Sequence, residues 1–318
     1  MRSTRKLVSV GLLVGVTALG LASCSSSTAN EAASAASDSR AIPVTANFYP
    51  IQWLVEEIGG GSVAVTGLTP LGEEPHDLAL NAQSRQAMDD SDVVFYLGSG
   101  FQPDIEKAVA ELPDGVTPID LLTAPGVALR AAPADLGKES LAGNMDPHVW
   151  LDPTLMGAMA GKIAEVLSVA DPDQAATFVA NRDALVGRLN GLDAELTSEL
   201  ANCETTTIVT SHAAFNYLAQ RYGLTQLAVT GISPDDQPDP ATLEQIANDA
   251  RAAGVTTVFF EEQLPKALSE TVAMEIGAKI DLLSALEFDP QEFIGPGEDY
   301  LSVMSDNGKR IAAGLQCT

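Results

Sequence analysis

The sequence predicts an α/β protein of two βα lobes with mostly parallel sheets, joined by one long rigid helix. Three observations predict it. Short β-branched runs alternate with amphipathic stretches from residue 42 onward; the rhythm stops near residue 124 and resumes after residue 205; and a stretch of about 27 residues between the two series lacks proline and keeps its apolar positions at helical spacing.

In the first series, residues 42–48, 62–68 and 92–97 read as strands, and residues 51–58, 82–88 and 102–111 as the helices between them. Residues 124–147, rich in Pro, Gly, Ala and acids, read as a long surface loop. Asp152-Pro153 then opens a helix with a capping side chain and a proline at the first helical position. Asp171-Pro172 repeats the device, with Gln174 placed to complete a capping box. Phe178, Leu185, Leu189, Leu192, Leu196 and Leu200 follow on one face of a rod roughly 40 Å long. Beyond it, residues 205–210, 226–230, 256–260 and 280–283 read as strands, and residues 212–221, 240–253, 266–278 and 299–315 as helices.

The start of the chain reads as an address. Arg2, Arg5 and Lys6 precede an apolar run from Leu7 to Leu21, too short and too glycine-rich for a membrane span. Leu21-Ala-Ser-Cys24 ends it and resembles a bacterial lipobox, in which cleavage leaves a lipid-modified Cys24; a secretory signal cut elsewhere is the alternative. Residues 25–40 lack bulky apolar groups and cannot build a core. The predicted organisation is a lipoprotein signal peptide (1–23), a flexible tether (24–40), an N-terminal lobe (41–170), a linking helix (171–201) and a C-terminal lobe (202–318). The protein is expected to be exported, lipid-anchored to the extracytoplasmic face of the membrane, and monomeric.

Without the three basic residues of its first 23, the chain carries 14 basic against 43 acidic residues, a formal net charge of −29. Such an excess repels nucleic acid and anionic lipid headgroups, so nucleic acid is excluded as a partner. With Cys24 lipidated, Cys203 and Cys317 remain as a pair in an oxidising compartment, and a disulfide between them is predicted; two buried thiols are the alternative.

Only three histidines occur in 318 residues: His76 in Gly72-Glu-Glu-Pro-His-Asp77, His148 in Asp146-Pro-His-Val-Trp-Leu-Asp-Pro153, and His212 in Thr210-Ser-His-Ala-Ala-Phe215. Each sits near a strand end or on a loop, where functional side chains are usually mounted, and together they could converge on one transition-metal ion. Spacing alone leaves this open, since a lone histidine is more often a capped or core residue than a ligand. Trp53, Trp150 and Phe215 read as core or cleft packing.

These three segments, with Val258-Phe-Phe-Glu261 and Tyr300-Leu-Ser-Val-Met304, resemble those of the solute-binding lipoproteins of zinc and manganese ABC importers. The resemblance runs from Ile42 to Cys317. It implies that His76, His148 and His212 bind a metal in an interlobe cleft and that a carboxylate on a late loop completes the site. In Leu286-Glu-Phe-Asp-Pro290 that carboxylate is expected to be Asp289, with Glu287 in reserve. Glu74, Asp146, Asp152 and Glu261 are the candidates to accept the second N–H of an imidazole; Asp152 is equally a helix cap, and Glu74 a solvated acid.

Three imidazoles and one carboxylate suit Zn2+ and favour it over Mn2+. Manganese-directed relatives commonly place an oxygen ligand where His212 stands. Zinc-binding relatives often insert a His-rich loop before the second ligand, and residues 131–147 contain no histidine, so Asp135, Glu139 and Asp146 could at most attract ions weakly. The expected function is capture of zinc, or alternatively manganese, outside the cytoplasm and delivery to an ABC permease, with no catalysis. A zinc hydrolase would need an open coordination position and a nearby base, and the chain has no His-Glu-x-x-His helix. A surface adhesin or scaffold would need a protein partner whose binding survives metal removal.

Overall fold

The computed structural model describes residues 41–132, 145–234 and 238–318. The leader, the tether with Cys24, and residues 133–144 of the long loop, including Asp135 and Glu139, lie outside the described residues.

The first lobe holds β1 (Ile42–Ala46), α1 (Tyr49–Gly59), β2 (Val63–Gly67), α2 (Ala82–Asp89), β3 (Val93–Tyr96), α3 (Pro103–Val109) and β4 (Thr117–Asp120). Its four strands pair in parallel in the order β2-β1-β3-β4. β4 is not among the predicted strands; its Pro118 lacks an N–H for the ladder, which an edge strand tolerates. A two-residue antiparallel ribbon, β5 (Arg130–Ala131) with β6 (Met145–Asp146), closes the base of the predicted surface loop.

Two long helices follow, α4 (Pro153–Ala170) and α5 (Ala175–Glu199). Asp152 caps α4 by accepting the Thr154 N–H. Asp171 caps a short 3-10 turn, Pro172–Gln174, that precedes α5. The turn places Gln174 at the N-cap of α5 instead of inside its first turn, so the predicted capping box does not form there. α5 buries the predicted face, with Phe178, Leu185, Leu189, Leu192 and Leu196 shielded from solvent. It lies between the two lobes.

The second lobe holds β7 (Thr207–Thr210), α6 (Asn216–Arg221), β8 (Thr225–Ala228), α7 (Pro240–Ala252), β9 (Thr257–Phe260), α8 (Ala267–Ile276), β10 (Lys279–Leu282), α9 (Pro290–Phe293) and α10 (Tyr300–Gly314). Its parallel sheet has the order β10-β9-β7-β8, so taken in chain order each lobe arranges its four strands as second, first, third, fourth. In such sheets ligands gather beyond the carboxyl ends of the strands, near the point where strand order reverses.

The capping box that does form lies at the start of α10, between Asp299 and Ser302. α10 returns against α5, and Gly308 permits the approach: a Cβ there would sit 2.3 Å from Leu196 Cδ2. Cys203 and Cys317 are joined by a disulfide. Beside it the Glu204 N–H donates to Leu315 O at 3.1 Å and the Thr318 N–H to Asn202 O at 2.9 Å, fastening the chain end to the start of the second lobe.

The lobes are tied directly as well as through the rod. Trp150 Nε1 donates to Ala285 O at 2.7 Å, Tyr300 Oη to Trp150 O at 2.6 Å, and Tyr217 Oη to Asp146 O at 2.8 Å. Trp150 also packs edge-on against Phe48 with ring centroids 4.7 Å apart. It is therefore both a core residue and a cross-lobe fastener, a second role that its sequence context did not reveal. No described helix is long and apolar enough to cross a membrane.

Candidate metal centre

His76 rides on the loop that follows β2, His148 lies just beyond β6, and His212 stands two residues past β7. All three are buried, His148 and His212 completely. Their Nε2 atoms turn toward one carboxylate oxygen, Glu287 Oε1, at 3.5 Å from His76, 3.5 Å from His148 and 3.2 Å from His212. His148 Nε2 is 3.3 Å from His76 Nε2. One ligand atom from each of the four residues lies within 4.8 Å of every other, and they form the metal-capable cluster found among the described residues.

These spacings fit a particular coordination. A tetrahedron with metal–ligand distances of about 2.0–2.1 Å has edges of about 3.3–3.4 Å, and the four measured edges scatter around that value.

The carboxylate in the cluster is Glu287, and Asp289 is not part of it. Asp289 immediately precedes Pro290, and its side chain accepts the Gln291 N–H at 3.0 Å as the N-cap of α9. That is the same Asp-Pro device seen at Asp152 and Asp171, so the sequence did contain the signal that Asp289 serves a helix end. Glu287 sits two residues earlier, almost fully buried.

The four carboxylates expected behind the ligands divide evenly. Asp146 Oδ1 is 2.8 Å from His148 Nδ1 and also accepts the His148 N–H at 3.0 Å. Its other oxygen accepts from Asn216 Nδ2 at 3.1 Å, a partner supplied by the second lobe that the sequence gave no reason to expect. Glu261, the first residue past β9, places Oε2 2.8 Å from His212 Nδ1 and Oε1 3.2 Å from the His212 N–H. β7 and β9 are neighbours in the sheet, which is why residues just past their ends meet. Asp152, in contrast, is used in capping α4, and Glu74 accepts the Asp77 N–H at 3.0 Å, bracing the backbone of the His76 loop.

A buried clamp holds the base of that loop. Asn47 Nδ2 donates to Gln102 Oε1 at 2.8 Å, Gln102 Nε2 to Thr69 Oγ1 at 3.0 Å, and Thr69 Oγ1 to Asn47 O at 2.7 Å. Phe101 packs edge-on against the His76 ring with centroids 4.7 Å apart.

The electrostatics call for a cation. Nδ1 of His148 and His212 each faces a carboxylate and Nε2 of each faces Glu287, so two buried imidazoles are enclosed by three acids whose charge favours a cation among them, proton or metal. Burial pushes the His76 imidazole down to about 4, leaving it neutral and ready to coordinate. Burial also opposes charge on His212, but the Glu261 and Glu287 carboxylates overcome it and hold that imidazole well above its ordinary value. His148 is raised as well, burial being outweighed by Asp146 and Glu287. Burial alone would raise Glu287; the charge on His212 and the hydrogen bonds from the imidazoles hold it well below the usual carboxylate range. Partial burial, together with the nearby Glu287 charge, pushes Glu74 up to about 8.

The raised imidazoles of His212 and His148 predict that a metal displaces a proton, and the sign follows: a histidine held protonated by its neighbours weakens metal binding as pH falls. Apparent zinc affinity is expected to rise with pH by about tenfold per unit for each proton displaced, up to the pKa of His212. Calorimetric titration in buffers of differing ionisation enthalpy checks this; a proton release of zero between about pH 6 and 8 would contradict the protonated His212.

Residues 44–314 match the family model described as zinc-uptake complex component A, periplasmic. The chain belongs to that family. Among curated members, it is 32% identical over 273 residues to the zinc-binding lipoprotein AdcA of Streptococcus pneumoniae, covering 84% of this chain and 54% of that protein. It is 29% identical over 294 residues to the high-affinity zinc uptake system protein ZnuA of Bacillus subtilis, covering 90% of this chain and 91% of the other. The chain thus spans about half the length of the AdcA relatives and nearly all of ZnuA. Among solved structures of the family, the Zn(II)-bound ZnuA-like domain of S. pneumoniae AdcA superposes with a TM-score of 0.73 at 30% identity, covering 87% of this chain and 99% of that domain.

Proposed function

We propose that this protein captures Zn2+ outside the cytoplasm and delivers it to an ABC permease for import, with His76, His148, His212 and Glu287 as the four ligands. The observation that carries the reading is a buried cluster of four ligand atoms within 4.8 Å of one another, in which Glu287 Oε1 lies 3.2–3.5 Å from all three Nε2 atoms and His76 Nε2 lies 3.3 Å from His148 Nε2, close to the edge length of a tetrahedral zinc site. Three nitrogens and one oxygen favour zinc over manganese, because imidazole suits the later metals and Zn2+ outcompetes Mn2+ at such sites. Four protein ligands complete the tetrahedron and leave no position for an activated water, so the site carries its ion rather than catalysing a hydrolysis.

Anchoring through a lipid on Cys24 and the tether that follows would keep the receptor near its permease. Both the family model and the zinc-uptake names of the relatives support the assignment of cargo and partner.

Metal analysis of protein purified without added metal, followed by competitive titration with zinc and manganese, tests the reading. One zinc per chain is expected, retained against excess manganese. Failure to bind either ion stoichiometrically would overturn it.

A further inference from the structure

We infer that Ser284, held between Glu262 and Asn307, is a positioning residue that sets the place of the Glu287 carboxylate; the inference rests on Glu287 being a metal ligand. The loop from β10 to α9 carries Glu287, and its backbone would be mobile if left to itself. Two buried bonds from α10 fix its start: the Ser284 N–H donates to Asn307 Oδ1 at 3.0 Å, and Asn307 Nδ2 donates to Ser284 O at 2.7 Å. Ser284 and Asn307 are each only 2% exposed, so neither bond has a ready substitute in water.

The serine hydroxyl then works in two directions. It accepts the Leu286 N–H at 3.1 Å and donates to Glu262 Oε1. Leu286 is the residue before the ligand and is held at φ 57°, a left-handed conformation that a branched apolar side chain seldom adopts. Such a conformation persists only where surrounding contacts over-determine it, and the Ser284 hydroxyl is one of those contacts.

Glu262 gives the arrangement its reach. It follows Glu261, whose carboxylate faces His212, so two successive residues past β9 brace both ligands of the second lobe: one behind the imidazole, the other through Ser284 behind the carboxylate. Neither Ser284 nor Glu262 belongs to the metal-capable cluster. Their effect on the ion passes through Glu287.

A thermodynamic cycle tests this. Zinc affinity is measured by competition with a chromophoric chelator for the unmodified protein, Ser284→Ala, Glu262→Ala, Glu287→Ala, and the two doubles that combine Glu287→Ala with each of the others. Ser284→Ala and Glu262→Ala are each expected to weaken binding about tenfold, the lower range for partners behind a ligand. In the Glu287→Ala background the same changes should alter affinity by less than about twofold, because the residue they act through is gone. Glu262→Gln, which keeps an acceptor for the Ser284 hydroxyl, should restore affinity to within about threefold.

Equal losses in both backgrounds would assign Ser284 and Glu262 a general structural role and overturn the inference, as would full affinity in the single variants. Normal zinc binding by Glu287→Ala would refute instead the assignment of that ligand, and with it this inference; an unmodified protein that binds no zinc would refute the proposed function itself.

Discussion

Glu287→Ala is expected to weaken zinc binding by more than about 100-fold, beyond the usual cost of losing a partner behind a ligand, whereas Asp289→Ala leaves affinity within about twofold. The contrast follows from where the two carboxylates lie. Glu287 Oε1 is 3.2–3.5 Å from three imidazole nitrogens, while Asp289 accepts a backbone N–H at the head of α9. Asp289→Ala should instead lower stability by about 1 kcal/mol, the usual cost of a lost N-cap. His148→Ala and His212→Ala belong with Glu287→Ala, since each removes a nitrogen from the same tetrahedron. Competitive zinc titration of the four variants, alongside denaturant unfolding of Asp289→Ala, checks the assignment. A large affinity loss in Asp289→Ala with near-normal binding by Glu287→Ala would reverse it.

Opening the Cys203–Cys317 bridge is expected to produce the second large effect. It closes a loop with a sequence separation of 114 residues, and the chain-entropy relation gives about 5 kcal/mol for a loop of that length. For a protein of this size that corresponds to a fall of roughly 8 °C in melting temperature. Comparing oxidised protein with Cys203→Ser/Cys317→Ser by thermal and denaturant unfolding measures it, and mass spectrometry of protein from its native compartment counts the thiols. Equal midpoints with and without the bridge would show that the neighbouring hydrogen bonds of Glu204 and Thr318 suffice to hold the chain end.

Where local chemistry decided the structure, the sequence was readable. Proline after aspartate marked the start of α4, and leucines at helical spacing marked the buried face of α5. Where tertiary pairing decided, it was not. Pro118 reads as a strand breaker until the sheet places it on an edge, and a ribbon as short as β5 with β6 leaves no periodicity to detect. The helix expected from residue 212 begins only at Asn216, because His212–Phe215 turn inward to present the imidazole and bury the aromatic ring.

The site followed the same division. The three histidines stood out by their scarcity and by the acidic or proline-flanked segments around them. Choosing between Glu287 and Asp289 required noticing that Asp-Pro already had an occupation as a helix cap. Nothing in the linear order could show that Asn216 would steady Asp146, or that Asn307 would grip Ser284. Those pairs arise from elements brought together only by folding.

Trp150, Tyr300 and Tyr217 stitch the two halves together within a few residues of the imidazoles. A body buttoned across its waist in this way is braced against gaping like a jaw, since wide parting of the halves would break all three bonds at once. Under the proposed function, passage of the ion would then fall to the loops that carry the buried cluster, and a partner transporter would need to shift those loops alone.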